Sequence, residues 1–171
     1  ALYERQLSLL RAGLLEQVEG RGPGAGVRAT PHSVAMLLIA AVATDNLADA
    51  AIWTDSIATA EPKAKRLRLT RASSFQEELA AILASEALAN RIVQISMGRT
   101  SPFAEVQFLW PKLKRTTTVT RFEVAAAVSV VDVVATMRGE TIRKIADSIA
   151  KLSDNRGAQQ NYQAKSAGSG M

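Results

Sequence analysis

The sequence predicts an α+β fold, with an N-terminal helical part followed by a small antiparallel sheet of three or four strands flanked by helices. Three observations carry that expectation. Apolar residues recur at three- and four-residue steps through residues 1–60. The period switches to strict alternation after Asn90, and helical spacing returns from Ile142.

Tyr3, Leu7, Leu10 and Leu14 predict an amphipathic helix over Leu2–Glu16. The stretch Gly20-Arg21-Gly22-Pro23-Gly24-Ala25-Gly26 is too rich in glycine and proline for a regular element. Thr30-Pro31 opens the next helix with a capping hydroxyl and a proline whose missing N–H costs nothing there. Val34–Ala43 is apolar on every side, which places that helix at the centre of a core or an interface. Asp45 is the expected cap of a third helix over Asn46–Thr59.

Residues 61–73 read as a basic linker between a helical module, 1–60, and an α+β oligomerisation module, 74–153. Ser74-Phe75-Gln76-Glu77 fits a capping box. Phe75, Leu79, Ile82, Leu83 and Leu88 form one helical stripe behind it. Val93, Ile95 and Met97 alternate with Gln94 and Ser96. Ala104, Val106, Phe108 and Trp110 alternate with Glu105 and Gln107. These predict two strands joined as a hairpin. Arg115–Phe122, rich in threonine and valine, predicts a third strand. Residues 125–137 suit either strand or helix, and a strand over Ser129–Met137 is preferred because Gly139 then punctuates it. Ile142, Ile145, Ile149 and Leu152 mark a final helix, and the polar, glycine-containing residues 154–171 are expected to be disordered.

Composition narrows the chemistry. With 171 residues, 47% hydrophobic and 22% charged, the chain is long enough to bury a core without cross-links. Zero cysteines exclude disulfides and thiolate metal sites, and a cytoplasmic location is expected. One histidine, His32, leaves no histidine cluster for zinc or iron. No cofactor is expected. The longest apolar run has ten residues, against the roughly 20 that a spanning helix needs, and no secretory signal is expected.

The glycine stretch lacks the Gly-Lys-Ser/Thr of a Walker loop and the spacing and preceding strand of a dinucleotide fingerprint. His32 has no evident partner or nucleophile, and Asp45 and Asp49, four residues apart, are two carboxylates where Mg²⁺ needs several converging oxygens. No serine stands in a Gly-x-Ser-x-Gly elbow. Catalysis is therefore not expected.

Charge points to a polyanion instead. Net charge is +5, but residues 1–60 carry four basic against six acidic groups, and residues 61–171 carry seventeen against ten. Two clusters concentrate the excess: Lys63, Lys65, Arg66, Arg68 and Arg71, then Lys112, Lys114, Arg115 and Arg121. Clustered cations bind phosphate backbones through counterion release, although basic residues equally serve to solvate a linker and a hairpin.

Tyr3-Glu4-Arg5-Gln6-Leu7-Ser8-Leu9-Leu10-Arg11-Ala12-Gly13-Leu14-Leu15 resembles the second helix of winged-helix regulators of the MerR-like type. In that family an arginine-bearing recognition helix runs into Ala-Gly-Leu-Leu and then a basic, glycine-rich wing, which Glu19-Gly20-Arg21-Gly22-Pro23-Gly24 resembles. Regulator-like proteins of bacterial phage-type clusters have a similar arrangement. The resemblance covers Ala1–Val34, from the second helix of the motif onward. It implies a winged-helix-like front part, with Arg5 and Gln6 facing the groove of double-stranded DNA, Arg11 on the backbone, and Arg21 and Arg28 in the wing. It also implies a homodimer reading paired half-sites. An exposed edge at the third strand, or the apolar helix 30–43, is the expected dimer contact. A phage-type structural or assembly protein that self-associates and contacts nucleic acid is the alternative.

Overall fold

A computed structural model of the chain describes residues 2–18, 26–63, 68–110, 117–124 and 133–167. The architecture is α+β. In chain order the elements are α1 (Leu2–Arg11), β1 (Gln17–Val18), β2 (Gly26–Val27), α2 (Pro31–Ala43), α3 (Ala50–Ala58) and β3 (Glu61–Pro62). There follow α4 (Phe75–Leu83), α5 (Glu86–Ala89), β4 (Ile92–Gly98), β5 (Phe103–Leu109), β6 (Thr117–Glu123), β7 (Val134–Arg138) and α6 (Gly139–Ala167).

The main sheet has five antiparallel strands in the order β3-β6-β5-β4-β7. Ile95 lies opposite Val106 and Met137, and Phe122 opposite Ala104, so alternate residues of neighbouring strands share one face. That face, with Ile95, Met97, Val106, Phe108 and Phe122 fully buried, meets the helices. The opposite face carries Gln94, Glu105, Gln107, Val119, Arg121 and Thr136. On it, Arg121 bonds Glu105 at 3.0 Å, pairs with Glu123, and lies 4.4 Å from the Phe103 ring centroid.

The expected strands are present as β4, β5, β6 and β7. The residues of the ambiguous stretch before Val133 lie outside the described set. The fifth strand comes from the segment read as a linker: Glu61 and Pro62 pair with Glu123 and Phe122, and Lys63 N–H donates to Arg121 O at 2.9 Å. The register slips between Ile92 and Gln94, a bulge that leaves Val93 exposed.

The helical part is not a separate module. Leu9, Met36, Ile39 and Ile57 belong to the same buried cluster as Phe75, Leu79, Ile95, Phe122 and Ile142. Helix α2, apolar all round, sits among α1, α3 and α4 and buries Ala35, Met36, Ile39, Ala40 and Ala43, while Val34, Leu37, Leu38 and Val42 stay partly exposed.

Local chemistry sets the boundaries. Helix α1 stops at Arg11 rather than Glu16 because Gly13 takes φ 72°, with its N–H on Leu10 O (3.0 Å) and the Leu14 N–H on Leu9 O (2.9 Å). This is the reciprocal end pattern that glycine permits. Thr30 caps α2 as predicted, accepting from Ser33 N–H at 3.1 Å. Asp45 does not cap α3. Its carboxylate pairs with Arg99, while Thr44 and Asn46 accept local N–H groups and hold the chain in turns until Ala50. Ser74 accepts from Glu77 N–H, but the Glu77 carboxylate reaches one residue further back, to Ser73 N–H and Oγ, both at 2.7 Å. The predicted stripe to Leu88 is broken at Ala84, and Ser85 caps a second short helix, α5. The tail expected to be disordered from residue 154 continues instead as α6 to Ala167. Ile142 and Ile149 anchor that helix on the core, and extending a nucleated helix costs far less than starting one.

Candidate nucleic-acid interface

Residues 2–33 form a helix, a tight turn, a two-stranded hairpin and the start of a second helix. The hairpin pairs Gln17 with Val27 and Val18 with Gly26. Its tip, residues 19–25 with Arg21, lies outside the described residues. Gly26 adopts φ 119°, a conformation that a side chain at this position would oppose. β1 and β2 flank the glycine stretch, whose own residues 19–25 are not among those described.

The predicted basic residues divide by placement. Arg5 is half-buried, and its Nη1 donates to Ala40 O at the C-terminal end of α2, at 2.5 Å. A cation at a helix C-terminus satisfies an orphan carbonyl and complements the dipole. Arg5 therefore staples α1 to α2, a role the linear pattern did not show. Gln6 is half-buried beside it. Arg11, in the last turn of α1, and Arg28, just after β2, are both exposed.

In the first cluster, among its described residues, only Arg71 is both exposed and free of an ion pair. Lys63 is exposed but pairs with Glu123. Arg68 turns inward, where its Nε and Nη2 are buried without a hydrogen-bond partner. It lies close enough to Glu78 to favour the charged carboxylate. Yet burial is the larger influence and holds the Glu78 carboxyl above its usual range. Glu78 is fully buried, with Oε2 accepting from Thr70 Oγ1 and Oε1 unpartnered. Lys65, Arg66, Lys112, Lys114 and Arg115 lie outside the described residues.

A cleft of about 550 Å³ opens between the end of α1, the hairpin, the first turn of α2 and α4. Leu14, Leu15 and Met36 give it apolar walls, while Glu16, Arg28, His32, Ser33 and Gln76 bring polar groups. Gln76 had no signal in the sequence, since it reaches the cleft only because α4 packs on α2. Next to Gln76 in the chain, Glu77 is held below the usual carboxylate range by its hydrogen bonds from Ser73, with His32 a lesser influence.

Among the described residues no three histidine, aspartate or glutamate side chains gather as a metal site, and no helix is long and apolar enough to cross a membrane. Comparisons of the chain with protein-family models, with curated proteins and with solved structures find no match.

Proposed function

We propose that this protein is a DNA-binding transcription regulator that acts as a dimer, with the front helix and hairpin as its DNA-contacting surface. One observation carries the reading: α1 leads through a glycine-ended turn directly into the β1–β2 hairpin, the order of recognition helix and wing. Two features support it. Arg11 and Arg28 are exposed at the two ends of the turn-and-hairpin unit, and Arg21 belongs to the hairpin tip by sequence. The formal charge of +5 favours a polyanionic partner.

The role assigned to each residue follows its placement. Arg11 and Arg28 contact phosphates, with Arg21 reaching from the wing. Arg5 acts indirectly, by holding α1 against α2. Arg71, Lys65, Arg66, Lys112, Lys114 and Arg115 add sequence-independent attraction.

A second reading, a self-associating assembly protein, draws on the outer edge of β7, which no further strand covers among the described residues and where Val133 and Val134 are exposed. Sedimentation separates the two. A regulator runs as a dimer across concentrations, whereas an assembly protein grows with concentration. Fluorescence anisotropy with labelled duplex DNA tests the leading reading. Affinity that falls log-linearly with salt supports it, and absence of binding at low salt removes it.

A further inference from the structure

The cleft beside the hairpin combines three properties that a DNA-contacting surface does not itself require. Its volume, about 550 Å³, lies within the range that encloses a small organic ligand. Its apolar walls, Leu14, Leu15 and Met36, belong to or pack against the core, so they are fixed in place. Its polar groups include one cation, the Arg28 guanidinium, with the His32 imidazole and the Gln76 carboxamide able to donate beside it, the Thr30 and Ser33 hydroxyls, and one lining carboxylate, Glu16. Among the described residues none of the Arg28, His32 and Gln76 side chains makes a hydrogen bond or ion pair, so their donors are available. The neighbouring Glu77 carboxylate is already occupied by Ser73.

We propose that this cleft binds a small organic anion with an apolar body, its charged group on Arg28 and its body against Leu14 and Met36. A purely inorganic anion would leave the apolar walls unused, and a neutral apolar molecule would leave the Arg28 charge uncompensated while desolvating it. Arg28 follows β2, while Leu14 follows α1. A molecule held between them bridges the two elements that frame the hairpin.

The test uses two fluorescent dyes with similar aromatic bodies. One, 1-anilinonaphthalene-8-sulfonate, is an anion, and the other, N-phenyl-1-naphthylamine, is neutral. Titration into the full chain should give saturable one-to-one binding of the sulfonate, about tenfold or more tighter than the amine. Loss of a charge-assisted contact is worth about that factor. Arg28→Gln should weaken the sulfonate about tenfold. Gln76→Glu, which adds a negative charge to the wall, should weaken it similarly and leave the amine unchanged. Both positions are at least partly exposed, and circular dichroism melts confirm that the variants fold. Equal affinity for the two dyes, no saturable binding, or sulfonate affinity unchanged in both variants overturns the proposal. Equal affinity would place the dyes on exposed apolar residues such as Tyr3 and Ile52. No nucleic acid is present, so the outcome is independent of the DNA-binding reading.

Discussion

Replacing Gly139 with alanine tests how closely α6 is seated on the sheet. A Cβ at Gly139 would lie 2.0 Å from Ile92 O, 2.8 Å from Ile92 C and 3.1 Å from Val93 O. All three are backbone atoms, so no side chain can swing aside. Reaching even a tight contact of 3.0 Å requires α6 and β4 to part by about 1 Å at the strand's start. Separation there loosens Ile142, Ala146 and Ile149, which the first turns of α6 press into the core. Overpacking of this kind costs about 1–3 kcal/mol, and two rigid backbones put it at the upper end. Alanine's better helix propensity offsets at most about 1 kcal/mol, leaving a net loss of about 2 kcal/mol. For a chain of this size that lowers the melting temperature by roughly 4–8 °C. The assay is a far-ultraviolet circular dichroism melt. A Gly139→Ala protein that melts at the wild-type temperature would refute the close seating of α6 on β4.

Other substitutions probe separate links. Phe75→Ala removes a fully buried ring 5.4 Å from that of Phe122 and should cost about 3–5 kcal/mol in urea denaturation. Arg5→Ala should lower stability by about 1–3 kcal/mol through loss of the bond to Ala40 O, whereas Arg11→Ala should leave the melt unchanged. Thr30→Ala, which removes the α2 cap, should cost about 1 kcal/mol in the same measurement. Burial raises the Glu78 pKa, so the folded chain retains a proton that the unfolded chain has released. Its contribution to stability is therefore greatest below the ordinary carboxylate range and falls as pH rises through the raised value. Denaturant titrations at pH 5 and pH 8 should show the wild type losing more stability between the two than Glu78→Gln does; equal losses would show that Glu78 is not the titrating group.

The sequence was most informative where one physical signal acted alone. Alternation placed β4 and β5, Thr30-Pro31 placed the start of α2, and the isoleucine spacing placed α6. It was least informative where a residue's partner is distant in the chain. Nothing near Arg5 shows that its guanidinium reaches Ala40, thirty-five residues on, so its charge reads as a surface charge. Arg68 in a basic run likewise reads as solvated, although it turns toward the buried Glu78. Glu61-Pro62 reads as a linker because two residues carry no period, and only the edge of β6 makes them a strand. The two-module division failed for a related reason. A polar, basic stretch resembles a domain boundary, yet α2 and α4 pack together across it. Of the candidate interface, helix α1 was legible, while the cleft was not, because Gln76 joins it through tertiary packing.

The salt dependence of DNA binding by the Arg11→Ala, Arg28→Ala double variant tests the central claim most directly. Each phosphate contact contributes about 0.9 to the slope of log affinity against log salt. If both arginines lie on the backbone, the double variant should bind more weakly than wild type at every salt concentration. Its slope should be shallower by about 2. A wild-type protein that binds duplex DNA with the same slope as the double variant would contradict the assignment of α1 and the hairpin as the DNA-contacting surface.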